Sequence, residues 1–280
     1  MECVFELWQN YKKNEVHHNL KTVLFVFLES KVITMKKITT SILALLGLTT
    51  ACSQTLPYEA DSFTTKNGKT VKIHTLVHSS MRIEFDGWSI YVDPVTKLGN
   101  KTIDYSSMPK ADYIFITHEH FDHLDTTAIE LLKGKNTQII TNQRCADNLG
   151  YGTVMANGDH LQLADSFVVE AVPAYNSSEG HLDFHPKGRD NGYILTLDGL
   201  KIYLAGDTED IPEMAEIKDI DIAFLPCNQP YTMTVEQLVN AARMIKPKVL
   251  FPYHYSQTDV SGIPSLLEAE GIEVRIRNYQ

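Results

Sequence analysis

Cysteine is scarce in this 280-residue chain: Cys3, Cys52, Cys145 and Cys227 are the full set, and no two stand in C-x-x-C spacing. That excludes a zinc ribbon and a dense disulfide framework, so any metal site must be built from nitrogen and oxygen ligands. Positive charge is also in short supply. Lys and Arg number 25 against 35 Asp and Glu, a formal net charge of −10, with no basic run in the body of the chain. A nucleic-acid surface held by phosphate contacts is therefore not expected. The His-Glu-x-x-His spacing of helical zinc sites is missing too. Apolar residues are plentiful at 43%, enough to bury a substantial core in one large domain.

Residues 117–125 read THEHFDHLD and directly follow the apolar run Tyr113-Ile114-Phe115-Ile116, which has the look of a buried strand delivering a loop to a sheet edge. Four possible ligands lie within six residues. His118 and His120 are two apart and Asp122 and His123 adjacent, so a loop can turn the first pair toward one cation and the second toward another. Packing gives no reason to gather three imidazoles and a carboxylate, whose mutual desolvation is costly without a cation.

The HEHFDH segment resembles the H-x-H-x-D-H signature of the metallo-β-lactamase superfamily, a set of di-metal hydrolases. The resemblance implies an α/β fold, a four-layer αβ/βα sandwich with two mixed sheets face to face and helices outside. The sequence pattern agrees with that count. From Val71 it reads strand, turn, strand through Asp86-Gly87 to Asp93-Pro94, a β-meander. TTAIELLKGK reads as a helix capped near Asp125 and stopped at Gly134, QRCADNLG as a second, and VEQLVNAARMI as a third opened by a Thr234/Gln237 capping box. KVLFPY is a central strand, and PSLLEAEG and IEVRIRN close the chain as helix and strand.

HSSMRIEFDGWSIYVDP resembles the opening of the lactonase-like branch of these hydrolases, the L-ascorbate-6-phosphate lactonases, with His78 and Asp93 at the matching positions. Asp93 is expected to fix the tautomer of a ligand imidazole. His78 reads equally as a site residue or a structural one. After Tyr175 the family supplies the third histidine of its first metal, but Asn176 stands there. His185 is the favoured replacement and His181 the alternative. Lys187 and Arg189 are nominated to meet an anionic substrate group. Asp207, after Gly206, falls where the family places a bridging aspartate, which its β-lactamases generally lack and its esterases, lactonases and phosphodiesterases retain. His254 matches the final ligand, and Tyr231 and Cys227 are nominated for the pocket.

The resemblance thus implies one cation on His118, His120 and His185, a second on Asp122, His123 and His254, and Asp207 between them. Asp122 and Asp207 carry the catalytic roles. The expected cofactors are two divalent metal ions, zinc by default with manganese or iron as alternatives, activating water against a small-molecule or lipid-like ester, lactone or phosphodiester. Two other readings stand beside this: a non-catalytic metal-binding lipoprotein, and a di-iron redox protein, whose branch typically has Glu where this chain has His120.

Residues 35–52, MKKITTSILALLGLTTAC, resemble a bacterial lipoprotein signal. The organisation expected is therefore an upstream extension over 1–34, a signal over 35–51, a tether over 52–70 and the hydrolase domain over 71–280. Export to the cell envelope or periplasm, with a membrane anchor through lipidated Cys52, follows from that reading.

Overall fold

A computed structural model of the chain describes residues 58–279. The expected signal, Cys52 and the first part of the tether lie outside the described residues. Among the described residues no helix is long and apolar enough to cross a membrane.

The first sheet has seven strands. Strands β1 (Ala60–Thr64), β2 (Thr70–Val77), β3 (Ser80–Phe85) and β4 (Trp88–Val92) form an antiparallel meander. At the β3–β4 turn Asp86 and Gly87 both have positive φ, 50° and 86°, the left-handed pair that matches a hairpin to the twist of its strands. A small hairpin, β5 (Lys97–Leu98) and β6 (Lys101–Thr102), leads to β7 (Ala111–Phe115), which joins β4 in parallel. Helix α1 (Thr126–Leu132) crosses to β8 (Lys133–Thr141), and α2 (Gln143–Leu149) to β9 (Thr153–Val154), both parallel additions.

The second sheet repeats this plan. Strands β10 (His160–Ala164), β11 (Phe167–Ala174), β12 (Asp190–Leu197) and β13 (Leu200–Leu204) are antiparallel; β14 (Ile222–Pro226), β15 (Val249–Tyr253) and β16 (Glu273–Val274) then add in parallel. The last two crossovers are α3 (Val235–Ile245) and α4 (Ile263–Leu267). Parallel crossovers force helices onto sheet faces, which is why a chain of this pattern builds an α/β sandwich. The inner layer packs Ile83, Ile90 and Phe115 of one sheet with Phe167, Tyr193, Leu204 and Phe224 of the other. The outer layer sets Leu238, Ala242 and Ile245 of α3 against Tyr203, Ala223 and Leu250.

Three segments differ from expectation. Ala60–Thr64, within the expected tether, is an edge strand registered on β2 from Ala60 opposite His74 to Thr64 opposite Thr70; five half-polar residues carry too weak an alternation to read. The helix expected to stop at Gly134 ends at Leu132, because Lys133 already pairs with Ala111 in the sheet. Only Glu273–Val274 of the closing strand is strand; beyond it, Arg275 Nη1 and Arg277 Nη2 reach back to Asp61 Oδ1 at 2.8 and 2.7 Å. The Thr234/Gln237 capping box at the start of α3 has both of its reciprocal bonds.

Candidate metal centre

The site is assembled at one edge of the two sheets from residues that follow strand ends: His78 after β2, Asp93 after β4, 117–123 after β7, Asp207 after β13 and His254 after β15. His78, Asp93 and His254 all have positive φ, 57°, 42° and 48°. Such backbone costs a non-glycine residue on the order of 1 kcal/mol and turns the side chain out of its strand's alternation, here toward the neighbouring edge.

Three groups of side chains able to hold a cation result: His118, His120 and His185; His78, Asp122, His123 and His254; and His118, His123 and Asp207. Asp207 lies between the first two. Its Oδ1 is 3.3 Å from His123 Nε2, and its Oδ2 is 3.1 Å from His254 Nε2, 3.5 Å from His185 Nε2 and 3.9 Å from His118 Nε2. Asp122 Oδ2 lies 3.3 Å from His78 Nε2 and 3.6 Å from His254 Nε2.

Hydrogen bonding behind the cluster decides which ring nitrogens point lone pairs into it. Asp93 accepts on both oxygens, from Thr117 N at 2.8 Å, Thr117 Oγ1 at 2.7 Å and His123 Nδ1 at 2.8 Å. The Thr117 hydroxyl spends its proton there, so toward His118 Nδ1, 3.0 Å away, it can only accept. In the neutral ring both His118 and His123 thereby carry the proton on Nδ1, with Nε2 facing inward. His185 reaches the same state by another route. Asn176 Nδ2 donates to the Tyr231 carbonyl at 2.9 Å, leaving Oδ1 to accept from His185 Nδ1 at 2.6 Å.

The fit to a cation follows from this. His118 Nε2 and His185 Nε2 both bear lone pairs and approach His120 Nδ1 to 3.1 and 3.2 Å, but one ring nitrogen has at most one proton to share. Adjacent nitrogens on a tetrahedral zinc with ~2.0–2.1 Å bonds stand ~3.4 Å apart, close to these separations. His123 Nε2, Asp207 Oδ1 and both ring nitrogens of His78 and of His254 are buried without a hydrogen-bond partner. Unpartnered buried polar atoms are costly, and a shared cation resolves several together.

Without a cation the charges divide unevenly. Burial, with His254 nearby, pushes His78 down to about 4, and burial pushes His185 down to about 4. For His254 burial opposes protonation, but Asp207 and Asp122 outweigh it and raise the ring to about 9. Burial would also lift Asp122, yet the charge of His123 and the nearby rings of His254 and His78 hold it below the usual carboxylate range.

Other nominated residues sit elsewhere. His181 is not in the cluster: its Nδ1 faces Glu209 Oε1 at 3.2 Å. Lys187 is turned away, bonded to Glu213 Oε1 at 2.6 Å and to the Tyr175 hydroxyl at 3.1 Å. Arg189 is committed to Asp190 at 2.7 and 2.8 Å and to the Phe184 carbonyl at 2.9 Å. Cys227 is buried in the outer core rather than in the pocket, whereas Tyr231 lines it. Two contributors went unread. Thr117 offers no signal beyond preceding the histidine run, and Glu209 looks like one more acidic residue in GDTED.

Comparison with known proteins gives this cluster its context. The model of the beta-lactamase superfamily domain matches residues 72–254. A UPF0173 metal-dependent hydrolase from Geobacillus thermodenitrificans is 34% identical over 197 residues, 66% of this chain and 86% of its own length. The chain belongs to the UPF0173 metal-dependent hydrolases of the β-lactamase superfamily. Among solved structures, a protein from Parabacteroides distasonis described as a metal-dependent hydrolase is 52% identical, with a TM-score of 0.77 over 80% of this chain and all of its own. Igni18, a metallo hydrolase from Ignicoccus hospitalis, is 29% identical with a TM-score of 0.63 over 74% of this chain and 94% of its own. The chain is accordingly a metal-dependent hydrolase, and its His/Asp cluster is able to hold metal.

Proposed function

We propose that this hydrolase holds two divalent cations, zinc by default, and uses water to cleave an ester, lactone or phosphodiester bond. The reading rests on the position of Asp207, within 3.9 Å of imidazole nitrogens from both groups. In it, His118, His120 and His185 would hold one cation and Asp122, His123 and His254 the other, with Asp207 available to both. His78, its ring tilted 43° against that of His254 with centroids 3.6 Å apart, backs the second group. When bound, such cations supply Lewis acidity and a water of lowered pKa.

The protein's own groups do the rest. Asp93 and Thr117 place the neutral-ring proton of His118 and His123 on Nδ1, so that Nε2 is the nitrogen offered inward, and Asn176 does so for His185. Asp122 lines the cavity and is placed to orient the attacking water and take its proton. Water oxygen adds to the carbonyl carbon or phosphorus, the bond to the leaving oxygen breaks, and that oxygen takes up a proton.

The test is metal analysis alongside turnover of p-nitrophenyl butyrate and bis(p-nitrophenyl) phosphate. Two equivalents per chain with chelator-sensitive hydrolysis is the expected result; an empty cluster or chelator-insensitive hydrolysis overturns the reading. We also propose export and anchoring through Cys52, supported by the MKKITTSILALLGLTTAC pattern. Labelled palmitate should enter the wild-type chain and not Cys52→Ser.

A further inference from the structure

The cavity over the cluster has a volume of about 800 Å³, and its floor is formed by His78, His120, Asp122, His185, Asp207 and His254. Its rim is apolar. Phe121, inside the ligand loop itself, is 79% exposed, an orientation that leaves an aromatic ring in water directly beside the site. Phe184 and Tyr231, which line the same cavity, pack edge to face at 5.0 Å, with Tyr231 itself 46% exposed. Val77 and Leu98 add aliphatic surface.

Positive charge is nearly missing from the same surface. Among the lining residues, histidines apart, Lys101 is the one cation, and it also lines the adjoining cleft that holds Glu59. Lys187 is held by Glu213, and Arg189 by Asp190 and the Phe184 carbonyl. Asn228 and Gln257 supply neutral polarity. A phosphorylated sugar needs a cationic grip on its phosphate away from the reacting bond; Lys187 and Arg189 are spent elsewhere, which leaves Lys101 as a single cation at the cavity.

We infer that the substrate carries an uncharged apolar acyl, alkyl or aryl group next to the scissile bond, gripped between Phe121 and the Phe184–Tyr231 pair. This deepens the hydrolase reading above and rests on it. Rim aromatics select by the apolar area they remove from water, so affinity rises with chain length up to the reach of the rim.

Binding to the zinc-loaded protein is measured by calorimetry for methylphosphonate, octylphosphonate and 7-carboxyheptylphosphonate, whose phosphonate heads are alike. Octylphosphonate is expected to bind more tightly than methylphosphonate by about fourfold for each methylene covered, on the order of 60-fold for three. The terminal carboxylate should reduce the advantage. Phe121→Ser, on an exposed side chain, should shrink the octyl-to-methyl ratio several-fold, and Tyr231→Ala should do the same from the other wall. Equal affinity for methyl and octyl heads, or preference for the carboxylate, overturns the inference and leaves the metal-site reading standing. Failure of all three to bind overturns both.

Discussion

Asn176 Oδ1 lies 2.6 Å from His185 Nδ1, and the same amide is pinned from its other end by donation to the Tyr231 carbonyl. The residue that stands where a ligand histidine was expected thus orients the histidine nine positions later. Removing such an orienting partner typically weakens metal affinity by about 10–100-fold. Asn176→Leu should do so with the fold intact, measured by chelator competition, while Asn176→Asp keeps an acceptor for His185 and should recover part of the loss. Unchanged affinity in Asn176→Leu would remove the orienting role.

Asp207 is 3% exposed and faces ring nitrogens from both cation groups. Asp207→Ala should lower turnover by roughly 10²-fold or more and reduce bound metal below the wild-type equivalents, since ligands and their partners commonly cost this much. Wild-type-like turnover with full metal content would refute the bridging role.

Gly206 has φ 66°, and a Cβ built on it would stand 2.9 Å from the Asn191 carbonyl oxygen and 3.3 Å from Thr117 Cβ. Gly206→Ala combines left-handed strain with a clash against backbone, and should cost roughly 2–4 kcal/mol in urea unfolding. Metal affinity should fall with it, because Asp207 follows directly.

Glu209 has no exposed surface and accepts from Ser177 N at 2.8 Å, Ser178 N at 2.7 Å and Ser177 Oγ at 3.0 Å, anchoring the loop that carries Asn176 and His185. Burial pushes its carboxyl up, but these donors and His181 outweigh that and bring it down to about 2 from an ordinary 4.5. A depressed carboxylate contributes stability that is whole above pH 4.5 and is lost as pH falls through 2. At about 1.4 kcal/mol per pH unit the contribution is of order 3 kcal/mol at most. Glu209→Gln should therefore be destabilised at pH 7 and approach wild type near pH 2, read from urea midpoints.

Metal removal should lower thermal stability, because the cluster's unpartnered buried atoms then face one another alone. Free zinc at 100 times its dissociation constant stabilises by about 2.7 kcal/mol, roughly 5–10 °C for a domain of this size class. A melting temperature indifferent to chelator would argue against metal in the cluster.

What the sequence determined by itself is local. Spacing alone gathers His118, His120, Asp122 and His123 on one loop, because four residues so close after a buried strand can only emerge together at its end. Periodicity and capping chemistry define Val235–Ile245, and Gly206 announces the close approach beside Asp207, because each depends on neighbours within a few positions. The tertiary structure decided the rest. Whether His185, His181 or Asn176 faces the cluster depends on Glu209 and Tyr231, 28 and 55 positions from the residues they engage. Whether Lys187 meets substrate depends on Glu213, 26 positions along. His78 enters the site because its positive-φ turn brings it onto His254, from the other sheet. A loop side chain goes where its partner is, and those partners are set by how two sheets pack, which no short window of sequence contains.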